Sequence, residues 1–190
     1  MTDELPLLEF ADRDAWASWL RENHDSSAGL WLKLAKRGAP RATVTQVQAI
    51  EEALCFGWID GQVGRVDEHF YRQRFTHRRS RSSWSQINRD RATELIERGL
   101  MHAAGLEEVE RAKADGRWDA AYEPQSRASV PDDFAQALNA NPAAQEFFAT
   151  LTGVRRYAFL YRIAEARRPE TRARRIERFV ELLARRQTLN

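Results

Sequence analysis

Between Arg74 and Ser85 the chain places Arg74, Arg78, Arg79 and Arg81 alongside the hydroxyls of Ser83 and Ser85, just ahead of a segment with helical periodicity. Guanidinium forks and the open N–H groups of a helix N-terminus are the groups that hold a phosphate or a carboxylate. The stretch therefore predicts an oxyanion site. The structural alternative is that serine caps the helix while the arginines pair with nearby acids. Trp58, Asp60, Trp84 and Asn88 are expected to wall a pocket beside it.

Two other groupings carry chemistry-bearing side chains. Asp67, Glu68 and His69, with Asp60, are hard ligands of the kind that take a divalent cation. Successive strand residues point to opposite faces, however, which separates Glu68 from Asp67 and His69 and leaves a solvated hairpin end as the other reading. Cys55 sits between Leu54 and Phe56 in a helical pattern, where apolar surroundings raise a thiol pKa and make it a poor nucleophile. Nothing in the spacing sets His77 or an orienting carboxylate beside it. HExxH, CxxC, Walker and GxGxxG patterns are absent. No catalytic residue and no metal ligand is assigned, and no cofactor is expected.

The elements that must position these groups read as α+β. Asp12 caps a helix to Asn23 that carries Trp16, Trp19 and Leu20, and Leu30–Lys36 alternates as a strand. Thr45 and Gln48 form a capping-box pattern for a helix closed by Gly57, with Val47, Ile50 and Leu54 as its apolar stripe. Short strands follow from Trp58, with Asp60-Gly61 as the expected hairpin turn and His69–Phe75 as a further strand. Helices are predicted over 84–98 and 106–114, then a linker over 123–130.

Everything after Pro131 is predicted helical. Asn141-Pro142 restarts the chain, and Phe147, Phe148 and Leu151 face inward. Tyr157, Leu160, Tyr161 and Ala164 recur at the spacing of a buried stripe, and Pro169 separates them from a last helix with Ile176, Phe179, Val180 and Leu183 inside. Arg174, Arg178 and Arg185 lie on that helix's outer side, with Glu170–Arg174 and Glu181–Arg185 as i,i+4 pairs. The expected architecture is a small antiparallel sheet flanked by helices over residues 1–123, followed by an all-helical module over 131–190.

The formal charge of +2 conceals alternating blocks. Residues 65–91 carry eight basic and three acidic side chains and residues 155–190 carry eleven and four, with acidic segments before and between them. Such blocks either pair within the fold or present a positive face to an anionic partner. One cysteine in 190 residues suits a reducing compartment, so a cytoplasmic location is expected. Residues 1–6 offer no basic n-region or apolar h-region, and no apolar run reaches the ~20 residues that cross a bilayer, so neither a leader nor membrane insertion is expected.

Several strings coincide in order: Glu52 through Gly61, Arg74-Phe75-Thr76, and Ser83-Trp84-Ser85 with Asn88. Gly116-Arg117-Trp118 with Ala121-Tyr122, Val130 through Asp133, and Arg168 through Arg172 with Arg175-Ile176 extend the pattern. Together they resemble the YdeI/OmpD-associated family, from which His77 departs where a proline is expected after the Phe-Thr pair. The resemblance implies a bacterial protein named for bacteriocin protection and porin association. It also implies an N-terminal part similar to the YjbR/CyaY-like, frataxin-related fold, and a helical C-terminal module. Frataxin-like proteins carry iron on an acidic helix and strand edge; here the first helix offers only Asp12, Asp14, Glu22 and Asp25, interrupted by Arg13, Trp16, Trp19 and Arg21.

The leading expectation is a non-enzymatic binding protein of the bacteriocin-protection or envelope-stress type, with an anionic small molecule or a protein as partner. The alternatives are an iron or divalent-metal chaperone using Asp60, Asp67 and Glu68, and a nucleic-acid or phosphometabolite binder using the two arginine blocks. For nucleic acid the charge is the only support.

Overall fold

The Asp12 carboxylate accepts the Ala15 N–H and opens α1 (Arg13–Asn23). Trp16 and Leu20 are buried along that helix, and the Trp16 indole N–H donates to the Ala49 carbonyl at 3.1 Å. Ala49 belongs to α2 (Gln46–Cys55), which begins with the expected Thr45–Gln48 capping box. Val47 of the expected stripe stays exposed, while Ala49, Ile50, Ala53 and Leu54 are buried. Gly57 follows with φ +74°, a left-handed value that glycine adopts without Cβ strain and that turns the chain back towards the sheet.

The structure, a computed structural model, describes residues 5–166 and 168–189. It divides into two compact units, one running to Trp84 and including Asn88–Ala120, the other comprising Ser85–Ile87 and the chain from Ala121 onward. The fold is α+β, with the sheet in the first unit and helices alone in the second.

Four strands, β1 (Leu7–Leu8), β2 (Leu30–Ala35), β3 (Trp58–Arg65) and β4 (Phe70–His77), form the sheet in the order β1-β2-β4-β3. β1 adds a short parallel edge, and the other pairings are antiparallel. Leu30, Leu32 and Leu34 are buried opposite Phe75, Gln73 and Tyr71, and Trp16 of α1 meets the Phe75 ring from that side. Trp31 and Lys33, facing the other way, stand opposite Arg74 and Arg72.

Asp60-Gly61 is not the hairpin turn expected from sequence. Both residues lie within β3, where the register shifts between Asp60 and Val63, so that Gly61 and Gln62 together oppose Arg74 as a bulge. The reversal comes after Arg65, where the Asp67 carboxylate accepts the N–H groups of His69 and Phe70, both at 2.8 Å. An Asx cap there supplies the turn chemistry that Asp-Gly suggested too early.

Beyond the sheet, α3 (Gln86–Glu97) starts two residues later than its pattern suggests. Ser85 pairs with Tyr122 in a parallel bridge, and the Gln86 N–H donates to the Tyr122 carbonyl at 2.9 Å. α4 (Ala103–Ala114) starts three residues earlier than expected, because Ala103, Ala104 and Gly105 carry no apolar periodicity to announce it.

The second unit holds α5 (Asp132–Asn139), α6 (Pro142–Thr150), α7 (Gly153–Glu165) and α8 (Pro169–Ala184). Asn141 caps α6 through the Ala144 N–H. Phe134, Leu138, Phe148, Phe159, Ile163, Phe179 and Leu183 form the core, with Phe134–Phe148 and Phe159–Phe179 packed edge-to-face at 5.2 Å. The tyrosine stripe expected to be buried in α7 is displaced: Phe159, Leu160 and Ile163 fill the core, whereas Tyr157 and Tyr161 are only half-buried and Ala164 is exposed. On α8, Arg174, Arg178 and Arg185 are exposed as expected. The ion pairs of this helix are not the two i,i+4 pairs of the sequence reading, because Arg172 reaches Asp133 and Arg175 reaches Glu165 instead.

Candidate functional site

Strand alternation places Arg72 and Arg74 on one face of β4, opposite to the face that packs on α1 and α2. The Arg72 guanidinium lies 4.4 Å from the Trp31 ring centre, and Arg74 stands directly across from Trp31. On β3, Gly64 stands opposite Arg72, and Gly61 opposes Arg74 together with Gln62 of the bulge, so two of the three positions beside the arginines carry no side chain. Lys33 shares this face but is occupied, since its ammonium meets Glu9 at 3.0 Å and lies over the Phe70 ring. Arg41 forms a two-pronged bond with the same Glu9. Arg72 and Arg74 have no carboxylate or other hydrogen-bond partner among the described residues, and the Nε of each is out of reach of water. Two unneutralised guanidiniums on one open sheet face, flanked by an indole, can clamp an oxyanion between them.

The predicted oxyanion loop is not assembled as the spacing suggested. Arg78 is buried, its guanidinium 3.6 Å from the Trp84 ring centre, and it donates to the Ser83 carbonyl. It is a packing element of the loop. Arg79, Arg81 and Ser83 are exposed, and the backbone of Ser85 pairs with Tyr122 in the bridge. The first N–H of α3 is taken by the Tyr122 carbonyl, which removes one of the open amides that an anion at this helix end would use. Arg117 adds a further tie by donating to the Ser82 carbonyl and to Asp115. Of the four predicted arginines, Arg74 alone belongs to the sheet face.

Nor do the four expected pocket residues converge. Trp58 is fully buried, its indole N–H bonded to the His24 carbonyl and its ring against Trp16 and Trp19. Trp84 packs on Trp118 and Arg78. Asp60 and Asn88 do meet, in a polar chain that sequence did not reveal: Gln46 donates to Gln73, Gln73 to Asp60 at 3.0 Å, and Asn88 to Asp60 at 3.3 Å. This chain ties α2, β4, β3 and α3 together, which satisfies Gln73 and Asn88 in their buried positions.

Asp67 is committed to its turn, and among the described residues no three His, Cys, Asp or Glu side chains gather as metal ligands. Cys55 is buried, and desolvation pushes its thiol pKa up to about 12. His77 packs on Trp58 at the end of β4. Arg72 and Trp31 are the functional candidates that the sequence reading missed. The available signal was the alternation Tyr71-Arg72-Gln73-Arg74-Phe75, which puts two arginines on one strand face.

Residues 8–108, more than half of the chain, match the family model described as a domain of unknown function, DUF8412. The chain belongs to this family. In this DUF8412 chain, residues 127–186 match a second model, described as Bacteriocin-protection, YdeI or OmpD-Associated, so the helical C-terminal part carries a YdeI/OmpD-associated domain. The frataxin-related expectation for the N-terminal part finds no support, since the match over that part is to DUF8412. No curated protein and no solved structure matches the chain. No helix among the described residues is long and apolar enough to cross a membrane.

Proposed function

We propose that this DUF8412 protein is a non-enzymatic binding protein that takes up an anionic ligand on the open face of its sheet. The observation that carries the reading is the pair Arg72 and Arg74, two residues apart on the central strand with Trp31 beside them and no carboxylate partner among the described residues. A buried or half-buried guanidinium normally has a counter-charge, and leaving two adjacent ones without it is costly unless a ligand supplies the charge. The high thiol pKa of Cys55 and the dispersal of Trp58, Asp60, Trp84 and Asn88 favour binding over catalysis. The YdeI/OmpD-associated domain supports a role in bacteriocin protection or envelope-stress resistance in a bacterium, with a porin as protein partner. The lone cysteine supports a cytoplasmic location.

The test is calorimetric titration of the full chain with inorganic phosphate, ATP and a single-stranded oligonucleotide. At least one should bind, with affinity falling steeply as salt rises. Arg72→Ala/Arg74→Ala should weaken it about tenfold or more, the worth of a charge-assisted hydrogen bond. Arg79→Ala/Arg81→Ala should change it little. Equal binding by wild type and Arg72→Ala/Arg74→Ala, or none by wild type, ends this reading.

A further inference from the structure

The tyrosines that periodicity assigned to the core of α7 line a cavity of about 240 Å³ in the C-terminal unit. Tyr157 and Tyr161 come from α7, and Tyr122 from the segment ahead of α5. The Tyr122 and Tyr161 rings stand 4.9 Å apart at 88°, and Tyr157 lies 5.9 Å from Tyr161 at 45°. Rings set at such angles cannot all stack on one another, so they enclose a corner with aromatic walls. Leu160 and Pro131 add apolar surface, and Glu123 contributes the one charged side chain in the lining.

No basic residue lines the cavity, and its aromatic and acidic walls are complementary to a cation. The Tyr157 hydroxyl is already committed, donating to the Glu123 carbonyl at 2.7 Å. A primary ammonium, strongly hydrated and with three N–H donors to satisfy, would depend on acceptors already in use or open to water, since the exposed Glu123 carboxylate takes the Ser129 N–H at 3.4 Å. A methylated ammonium needs none, sheds its water at low cost, and gains from ring faces and a nearby carboxylate. At about 240 Å³ the space lies below the roughly 300–1,000 Å³ of drug-sized sites, which suits a small head group. Burial first, then the neighbouring Tyr122, Tyr161 and Glu123, push the Tyr157 phenol up to about 12, so it stays a neutral hydroxyl at physiological pH.

We propose that the Tyr122–Tyr157–Tyr161 cavity, with Glu123 in its wall, is a binding site for a small quaternary or methylated ammonium compound. It is independent of the arginine face on the sheet, being built from other residues and selecting the opposite charge.

The experiment is NMR or calorimetric titration of the full chain with choline, with its uncharged isostere 3,3-dimethyl-1-butanol, and with ethanolamine. Choline should bind, and the isostere and ethanolamine should each bind about tenfold more weakly or less. Tyr161→Leu and Glu123→Gln should lower choline affinity, whereas Tyr161→Phe, which keeps the ring, should retain it; melting curves confirm that each variant folds. Phosphatidylcholine vesicles distinguish a lipid head group from the free compound, and the chain should not sediment with them. The proposal is overturned if folded wild type fails to bind choline at millimolar concentration, if the uncharged isostere binds as tightly, or if vesicles bind while free choline does not.

Discussion

The Arg78 guanidinium lies 3.6 Å from the centre of the Trp84 ring, inside the segment whose composition most resembles an anion site. Both residues are buried, and Arg78 also holds the Ser83 carbonyl. A desolvated cation–π contact is worth about 2 kcal/mol, enough to make the pair a structural clamp.

Arg78→Ala should therefore lower stability by about 2 kcal/mol, read as a shift of the urea midpoint at unchanged slope. Arg79→Ala and Arg81→Ala, both at exposed positions, should stay within about 0.5 kcal/mol of wild type. A neutral Arg78→Ala would return that residue to the list of candidate ligand groups.

Gly105 on α4 sits where a Cβ would fall 2.4 Å from the Cys55 carbonyl oxygen and 2.7 Å from that of Leu54. Alanine usually gains about 1 kcal/mol over glycine within a helix, but backbone cannot yield as a side chain does. Forced separation of α2 and α4 should cost about 1–3 kcal/mol and outweigh that gain. Thermal unfolding of Gly105→Ala should show a lowered midpoint.

With its thiol held at about 12, Cys55 should resist alkylation in the native protein at pH 8 and react once the chain is unfolded. The linkage has a definite sign. In the unfolded chain the thiol ionises near its ordinary value of 9.0, while the folded form keeps its proton until about 12. Its contribution to stability is thus complete below pH 9 and is lost as pH rises through that window. Cys55→Ala should remove this component of the alkaline fall, measured by urea unfolding at a series of pH values.

Glu9 gives the opposite slope. The two-pronged bond from Arg41 and then the contact with Lys33 hold its carboxyl at about 2, against an ordinary 4.5, despite partial burial. Its contribution is full above pH 4.5 and is lost as pH falls towards 2, because the unfolded chain takes up the proton first. Glu9→Gln should flatten the acid limb of the stability curve, and an unchanged limb would show that the Arg41 bridge is too exposed to matter.

Elements with local signals were legible in the sequence. Asp12, the Thr45–Gln48 box and Asn141-Pro142 announced helix starts because a cap bonds to amides two or three residues away. The alternating leucines of β2 announced a strand, because successive side chains of a strand point to opposite faces. Asp60-Gly61 misled because a turn and a bulge both favour glycine, and only strand pairing separates them. The start of α3 was misplaced because the group that ends the preceding loop, the Tyr122 carbonyl, is distant in sequence.

Charge and apolar content, the order of helices and strands, and the side-chain caps of α1, α2 and α6 were determined by the sequence itself, since each depends on neighbours within a turn or two. Tertiary structure decided which arginines are spent and which remain. Arg78 is absorbed by Trp84, Lys33 and Arg41 by Glu9, and Arg172 by Asp133, while Arg72 and Arg74 have no carboxylate partner among the described residues. The α7 tyrosines were likewise assigned to a cavity wall rather than the core only once the helices had packed. A residue's type sets what it can bind, but the partner it finds depends on contacts between segments far apart in the chain, and no local pattern encodes those.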